Sequence, residues 1–183
     1  MAVTAYKILF SEYHNGPTAF IHMLSKPNAP IRDSDIYQDD TDKLKEAMNN
    51  FTKKINITRI FYGEHNTDKA MQLNHIAYHT EQSICFIDCQ ILVHNYMGET
   101  EKYLSKLTAQ AGSENWILFL DKADALFSRR SEVKDKHHEY SNQKISSVLK
   151  RLSQYPGLSI LSLTEKPKLE MLQYATDSAI SFR

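Results

Sequence analysis

Residues 63–70, GEHNTDKA, place a glycine, a carboxylate and a lysine directly after an apolar run. A phosphate-binding loop has the form G-x-x-x-x-G-K-[ST], in which backbone N–H groups and the lysine bind phosphates and the hydroxyl binds magnesium. Gly63 and Lys69 fit this form, whereas Asp68 stands at the second glycine and Ala70 at the hydroxyl residue. Gly63 and Lys69 alone also fit an ordinary turn between a strand and a helix.

Both replacements oppose the binding of a magnesium–nucleotide complex. The Asp68 carboxylate brings negative charge among donors meant for polyphosphate, and Ala70 supplies no oxygen ligand for magnesium. We therefore expect nucleotide binding to be severely weakened. One hypothesis is that Asp68 occupies the place of phosphate and pairs with Lys69 or Lys122, which closes the pocket internally. The alternative is that Asp68 points into solvent.

A second candidate segment, residues 117–127, reads ILFLDKADALF. Its apolar run ends in Asp121, as do the strands whose acidic residue coordinates the metal ion of nucleotide-hydrolysing sites. Lys122 follows, and a lysine with a reference pKa near 10.4 is protonated at neutral pH and cannot readily accept a proton from water. The two segments together predict a degenerate nucleotide site consisting of Gly63, Asp68, Lys69, Ala70, Asp121 and Lys122.

These segments resemble the AAA+ ATPases, a family of the P-loop NTPase superfamily. Residues 117–127 resemble the family's hydrophobic run followed by D-E-A-D-A-L-F, with Lys122 in place of the glutamate that activates water. Residues 96–104, YMGETEKYL, resemble its Y-[IV]-G-E-T-E-K-x-L, and residues 131–135 resemble a stretch common in bacterial members. The resemblance covers about residues 55–183 and leaves the first 40 unmatched.

The resemblance also implies losses elsewhere in the catalytic apparatus. The family's sensor asparagine should end the run 158–163, where Thr164-Glu165 stands, and the arginine-finger pair is replaced around Tyr174-Ala175. AAA+ proteins normally continue into a helical lid, and because this sequence ends at Arg183 we expect no lid. The family's pore loop, which grips polypeptide, corresponds to Tyr96, Met97 and Gly98. We expect these three residues to contact protein, unless Tyr96 simply packs against its own domain.

Other chemistry-bearing residues give weaker signals. His75 and His79 lie one helical turn apart and His137 and His138 are adjacent, but no carboxylate or thiol completes a metal site, so we interpret them as solvated. We assign Cys85 and Cys89 to packing as reduced thiols, because they lie too close together to staple a small secreted domain. Residues 128–136 mix both charges and predict a solvated loop.

Composition narrows the class of protein further. The chain has 183 residues, of which 42% are hydrophobic, which suits one globular domain with a substantial core. Its 22 basic and 22 acidic side chains cancel, so no basic field predicts nucleic-acid binding. No apolar segment approaches the length of a membrane span, and the N-terminal apolar stretch is too short for a signal peptide. We expect a cytoplasmic protein without membrane insertion, cofactor or metal.

Alternating strands and helices must position these segments. Near-continuous apolar strands separated by helices of this length predict a three-layer, doubly wound parallel sheet of the α/β class. Residues 1–40 form an N-terminal extension of short strands or loops, and residues 41–183 form the degenerate AAA+-like core. The predicted strands are 57–62, 84–88, 116–121, 158–163 and 179–182, and the predicted helices are 41–54, 69–78, 97–111, 142–152 and one closing helix before the last strand.

These features predict a catalytically inactive pseudo-ATPase that acts through protein–protein interaction, as a scaffold, adaptor or regulator. Its partner is expected to be an active AAA+ relative or a multiprotein assembly. One alternative is a nucleotide sensor in which Lys69 and Asp121 hold ATP weakly without hydrolysis. The other is an enzyme of a different class that reuses the cleft around the side chains of His65, Asp68, Lys122 and Asp124.

Overall fold

Five strands form the parallel part of a seven-stranded sheet. The computed structural model describes residues 13–15, 20–29, 56–95, 99–127, 148–167, 169–173 and 179–182. The strands Ile84–Asp88, Ile117–Asp121 and Leu158–Leu163 are buried at every position, so both faces of the sheet are covered there. The strands are β1 (Tyr13–Asn15), β2 (Ile21–Leu24), β3 (Ile57–Gly63), β4 (Ile84–Asp88), β5 (Ile117–Asp121), β6 (Leu158–Leu163) and β7 (Ala179–Phe182).

The strand order across the sheet is β1-β2-β4-β5-β6-β3-β7. Strands β4, β5, β6, β3 and β7 run parallel, and β1 and β2 add an antiparallel edge next to β4. The described part of the N-terminal extension therefore contributes two short strands to the same sheet as the core.

Helices connect the parallel strands. They are α1 (Asn66–Thr80), α2 (Cys89–Asn95), α3 (Thr100–Glu114), α4 (Asp124–Phe127) and α5 (Leu169–Leu172), and residues 148–152 are also helical. The two longest end in the same way, because Glu81 and Asn115 adopt the left-handed conformation with φ of 55° and donate their N–H groups to carbonyls of the last turn. Such caps satisfy carbonyl groups that have no partner inside the helix.

The helices cover both faces of the sheet. The face on which a helix lies depends on the direction in which its connection crosses the sheet. Helix α1 packs its apolar residues with Phe61, Phe86 and Phe119 on one face, whereas α2, α3 and the helical residues 148–152 pack on the other. The chain moves from β3 outward to β4 and then back through β5 and β6 to β7. Since crossovers between parallel strands are right-handed, this reversal places the connections on opposite faces. A crevice is expected where the two directions meet, at the carboxyl ends of β3 and β6.

The predicted α/β class and doubly wound parallel sheet are confirmed. Strands β4, β6 and β7 have the predicted bounds, β3 extends one residue further to Gly63, and β5 begins one residue later. Helix α1 begins three residues earlier than predicted, and α3 runs from Thr100 to Glu114 instead of 97–111. Helix α2 was not predicted. The predicted helix 41–54 and most of the predicted helix 142–152 lie outside the described residues.

Among the described residues, no helix is both long enough and apolar enough to cross a membrane.

Candidate functional site at the carboxyl ends of the parallel strands

The turn after β3 is short, and its lysine is turned into the protein. Only Glu64 and His65 separate the end of β3 from the first residue of α1. Lys69 is 1% exposed, and its Nζ donates a hydrogen bond to the Leu163 carbonyl oxygen at 2.8 Å. Its backbone N–H donates to the His65 carbonyl oxygen at 3.2 Å. Lys69 therefore ties the first turn of α1 to the end of β6.

The side chains of Asp68 and Ala70 lie in different environments. The Asp68 carboxylate lies 3.4 Å from His65 Nδ1 and is 42% exposed. The predicted pairing of Asp68 with Lys69 or Lys122 is therefore wrong, because the side chain points toward the surface of the helix, where His65 is within reach. The Ala70 methyl is fully buried in the core on the α1 face.

Two acidic residues lie side by side at the ends of β4 and β5. Asp88 and Asp121 are register partners in adjacent parallel strands, which run about 4.8 Å apart, and each residue is 2% exposed. Asp88 Oδ1 accepts a hydrogen bond from the Ile91 backbone N–H at 3.1 Å, at the start of α2. Asp88 was not among the predicted site residues. Its signal in the sequence was the same as that of Asp121, an acidic residue that ends an apolar strand.

Lys122 binds the first of these acids. Its Nζ lies 2.8 Å from Asp88 Oδ2, and its side chain is 41% exposed. The Lys122 backbone is left-handed, with φ of 51°, a conformation that costs a residue other than glycine about 1 kcal/mol or more. The neighbouring backbone holds this turn, because the Ala123 N–H donates to the Ser162 carbonyl at 2.8 Å.

Burial sets the electrostatics of Asp121 and Lys69. Desolvation, reinforced by the charge of Asp88, raises the pKa of Asp121. The positive charge of Lys122, a hydrogen bond with Ser162 and the positive charge of Lys69 oppose this shift. Asp121 Oδ2 has no hydrogen-bond partner among the described residues. Desolvation lowers the pKa of Lys69, against the attraction of Asp121 and Asp124. In both residues, burial therefore destabilises the charged form of the side chain relative to the neutral form.

Asp124 anchors the end of β6. Its Oδ2 accepts a hydrogen bond from the Thr164 backbone N–H at 2.7 Å, and its Oδ1 accepts one from the Glu165 N–H at 3.4 Å. Thr164 and Glu165 occupy the predicted sensor position. In the described structure the four side chains of the proposed reused cleft therefore make three separate contacts: His65 with Asp68, Lys122 with Asp88, and Asp124 with the β6 turn.

Several predicted functional residues lie outside the described part of the chain. These are Tyr96, Met97 and Gly98 of the pore-loop resemblance, residues 131–135, Tyr174-Ala175, and the pair His137 and His138. The prediction of a solvated pair is wrong for His75, which is 3% exposed and whose ring centroid lies 4.3 Å from that of His79. His79 itself is partly exposed. No cluster of three or more metal-binding side chains occurs in the described ranges.

The two cysteines are buried free thiols. Cys85 lies in β4 and Cys89 in the first turn of α2, and both pack in the core on the α2 and α3 face. Burial raises the pKa of Cys85 to about 12 and that of Cys89 well above its ordinary value. Because the thiolate is the reactive form of cysteine, this environment suits packing and not nucleophilic chemistry.

Comparison with known proteins gives the family of this fold and site. A family model described as "ATPase family associated with various cellular activities (AAA)" matches residues 59–173, from β3 to just past α5. The chain is also similar to ATPase family gene 2 protein of Schizosaccharomyces pombe, with 26% identity over 109 residues. That match covers 59% of this chain but only 14% of the relative. Since the family model matches more than half of the chain and spans every strand of the candidate site, this chain belongs to the AAA ATPase family.

Proposed function

We propose that this chain is an AAA domain that does not hydrolyse ATP and acts by binding protein, as a scaffold, adaptor or regulator of a larger assembly. The observation that carries the proposal is the contact between Lys122 Nζ and Asp88 Oδ2 at 2.8 Å. It places an ammonium group, held by a buried carboxylate, directly after Asp121. A partner from the same family, or a multiprotein assembly, is part of the proposal.

Hydrolysis of ATP requires a group that orients or deprotonates the attacking water. The residue after Asp121 is the one that carries this group in the resembling family, and here it is a lysine paired with an acid. An ammonium ion has no lone pair with which to accept a proton, and that of Lys122 forms an ion pair with Asp88. The site therefore lacks the base at the position where the chemistry needs it.

Magnesium and triphosphate also fit this donor set poorly. Position 70 offers a buried methyl in place of a hydroxyl, and the Lys69 ammonium is bonded to the Leu163 carbonyl. The Asp68 carboxylate lies on the first turn of α1, where phosphate binding would exploit the positive end of the helix dipole. Each of these features weakens the attraction of the turn for a polyanion, and all three act in the same direction.

A phosphate-release assay tests the loss of hydrolysis. Purified wild-type chain with ATP and magnesium should release phosphate no faster than a blank, and Lys69→Met should not change that rate. Circular dichroism of both proteins would verify folding. Steady release by the wild type that ceases in Lys69→Met would overturn the proposal. Calorimetry with ATP and magnesium addresses the nucleotide-sensor alternative, since saturable micromolar binding without phosphate release would favour a sensor in which Lys69 and Asp121 contact the nucleotide.

Affinity capture tests the protein-binding part of the proposal. Tyr96, Met97 and Gly98 match a polypeptide-gripping segment in sequence, and an aromatic anchor in such a contact is worth about 2 kcal/mol, or roughly thirtyfold in affinity. We expect a partner captured by the wild type to be recovered at least about tenfold less well with Tyr96→Ala. Lys102→Ala, a change at an exposed lysine of α3, is the matched control and should capture as the wild type does. Equal recovery with all three baits would argue against this segment as the contact.

The remaining alternative, an enzyme of another class, gains no support from the site. Among the described residues, its four candidate side chains make three separate contacts: His65 with Asp68, Lys122 with Asp88, and Asp124 with the turn after β6. A cytoplasmic location is also part of our proposal, because free buried thiols are usual in reducing compartments.

A further inference from the structure

A pair of buried carboxylates normally requires a compensating cation. Asp88 and Asp121 lie opposite each other at the ends of β4 and β5, and each is 2% exposed. Two like charges so close together and so poorly hydrated repel each other strongly. Proteins meet this requirement with a bound metal ion, with a proton or with a basic side chain.

In this chain the compensating cation is part of the sequence. The Lys122 backbone is left-handed, and its ammonium lies 2.8 Å from Asp88 Oδ2. The charge of the ammonium also acts on Asp121. The second carboxylate retains an oxygen, Oδ2, that is buried and has no hydrogen-bond partner among the described residues. An acidic pair with one oxygen occupied by an ammonium and another unsatisfied has the donors of a cation site, with a lysine in it.

We propose that the Lys122 ammonium takes the place of a divalent cation at the Asp88–Asp121 carboxylate pair. The inference rests on the proposed function, because a domain that does not hydrolyse ATP needs no metal ion beside Asp121, and Lys122 then supplies the compensating charge. A divalent ion that approached the pair would have to displace the ammonium from a short, charge-assisted hydrogen bond. It would also meet the repulsion of that ammonium throughout its approach.

The proposal makes a gain of metal binding the expected result of removing Lys122. Asparagine is the suitable replacement, because it tolerates the left-handed backbone at this position and carries no charge. With Mn²⁺ alone as the probe and no nucleotide present, Lys122→Asn should bind one ion at least about tenfold more tightly than the wild type. The double variant Lys122→Asn/Asp121→Asn should lose that gain.

Two further variants make the result specific. Lys122→Arg keeps a positive charge beside Asp88 and should exclude Mn²⁺ as the wild type does. Lys102→Asn removes an exposed lysine from α3 and should leave Mn²⁺ binding unchanged. Calorimetry measures the affinity, and the rise of the melting temperature with Mn²⁺ gives an independent measure on the folded protein.

The inference is overturned if folded Lys122→Asn binds Mn²⁺ no better than the wild type, or if the wild type already binds one ion with equal affinity. A melting transition and a native circular dichroism spectrum establish that the variant is folded. If Lys122→Asn did not fold, gain of binding by Lys122→Arg would overturn the idea, and continued exclusion by Lys122→Arg alongside binding by a second neutral variant, Lys122→Gln, would support it. None of these outcomes depends on ATP hydrolysis, so failure of the proposed function is detected separately by the phosphate-release assay.

Discussion

Replacing Gly63 by alanine should cost the fold about 3 kcal/mol or more, whatever the protein binds. Gly63 is the last residue of β3 and has a φ of 120°, a conformation that side chains rarely permit. A Cβ atom at this position would lie 1.9 Å from the carbonyl oxygen of Phe182, the residue that pairs with Gly63 in β7. The backbone of β7 would have to move away, and the buried packing of Phe182 against Phe61 would be lost with it.

Urea denaturation of the variant and the wild type measures this cost as a difference in the free energy of unfolding. Gly112→Ala is the matched control. Gly112 lies in α3, its added Cβ would meet Pro156 at 3.2 Å, and alanine is the better helix former by about 1 kcal/mol, so a change within about 1 kcal/mol is expected. Equal effects of the two substitutions would mean that β7 does not pair tightly with β3.

The first glycine of the candidate phosphate loop has a structural role in the sheet. In the sequence, the spacing of Gly63 to Lys69 fits a phosphate loop, and an ordinary strand-to-helix turn is the alternative. The structure supplies a reason for glycine that involves no ligand, the close approach of the last strand. A glycine at this position is therefore poor evidence for nucleotide binding, and the same is true of Lys69, whose ammonium contributes a hydrogen bond between α1 and β6.

The fold was predictable because its signals are local. Runs such as Ile84–Asp88 and Leu158–Leu163 are apolar at nearly every position, which is typical of strands covered on both faces, and the structure gives them the predicted bounds. Helix α2 was not predicted because it begins at Cys89, directly after the last residue of β4, so no turn residue separates the two. The apolar residues of α2 then appear in sequence to continue the strand.

The partners within the site were not predictable, because they depend on strand order. Lys122 and Asp88 are 34 residues apart and meet only because β4 and β5 are neighbours in register. The sequence offered Asp68 as a partner for Lys122, since it was the acidic residue that broke the expected motif. The structure places Asp68 beside His65 instead. The spacing of residues within one segment was enough to identify candidate site residues. The contacts between segments could be identified only from the order and register of the strands in the sheet.

Replacing Asp121 by asparagine should stabilise the protein at neutral pH, although Asp121 is buried at the centre of the candidate site. The pKa of Asp121 is raised, chiefly by desolvation and then by the charge of Asp88, and the attraction of Lys122 and Lys69 does not cancel this. The folded carboxylate is therefore less favourable than the same group in the unfolded chain. Asparagine keeps the shape without the charge, so the variant regains the stability that the buried carboxylate costs.

The sign fixes how this gain depends on pH. Between the ordinary pKa of aspartate, 3.8, and the raised value in the folded state, the folded protein binds more protons than the unfolded chain, so wild-type stability falls as pH rises. Asp121→Asn has no such loss. The stability difference between variant and wild type should therefore be smallest at pH values below 3.8, grow through that window and stay constant above it.

Urea denaturation across this pH range tests the prediction, with Asp68→Asn as the control. Asp68 is 42% exposed and paired only with His65 among the described residues, so its substitution should change stability by no more than about 0.5 kcal/mol. A loss of stability in Asp121→Asn at neutral pH would identify Asp121 as a structural carboxylate that Ser162 and the two lysines need. A gain would mean that the buried Asp121 carboxylate destabilises the folded state at neutral pH, as the cost of burying its charge predicts.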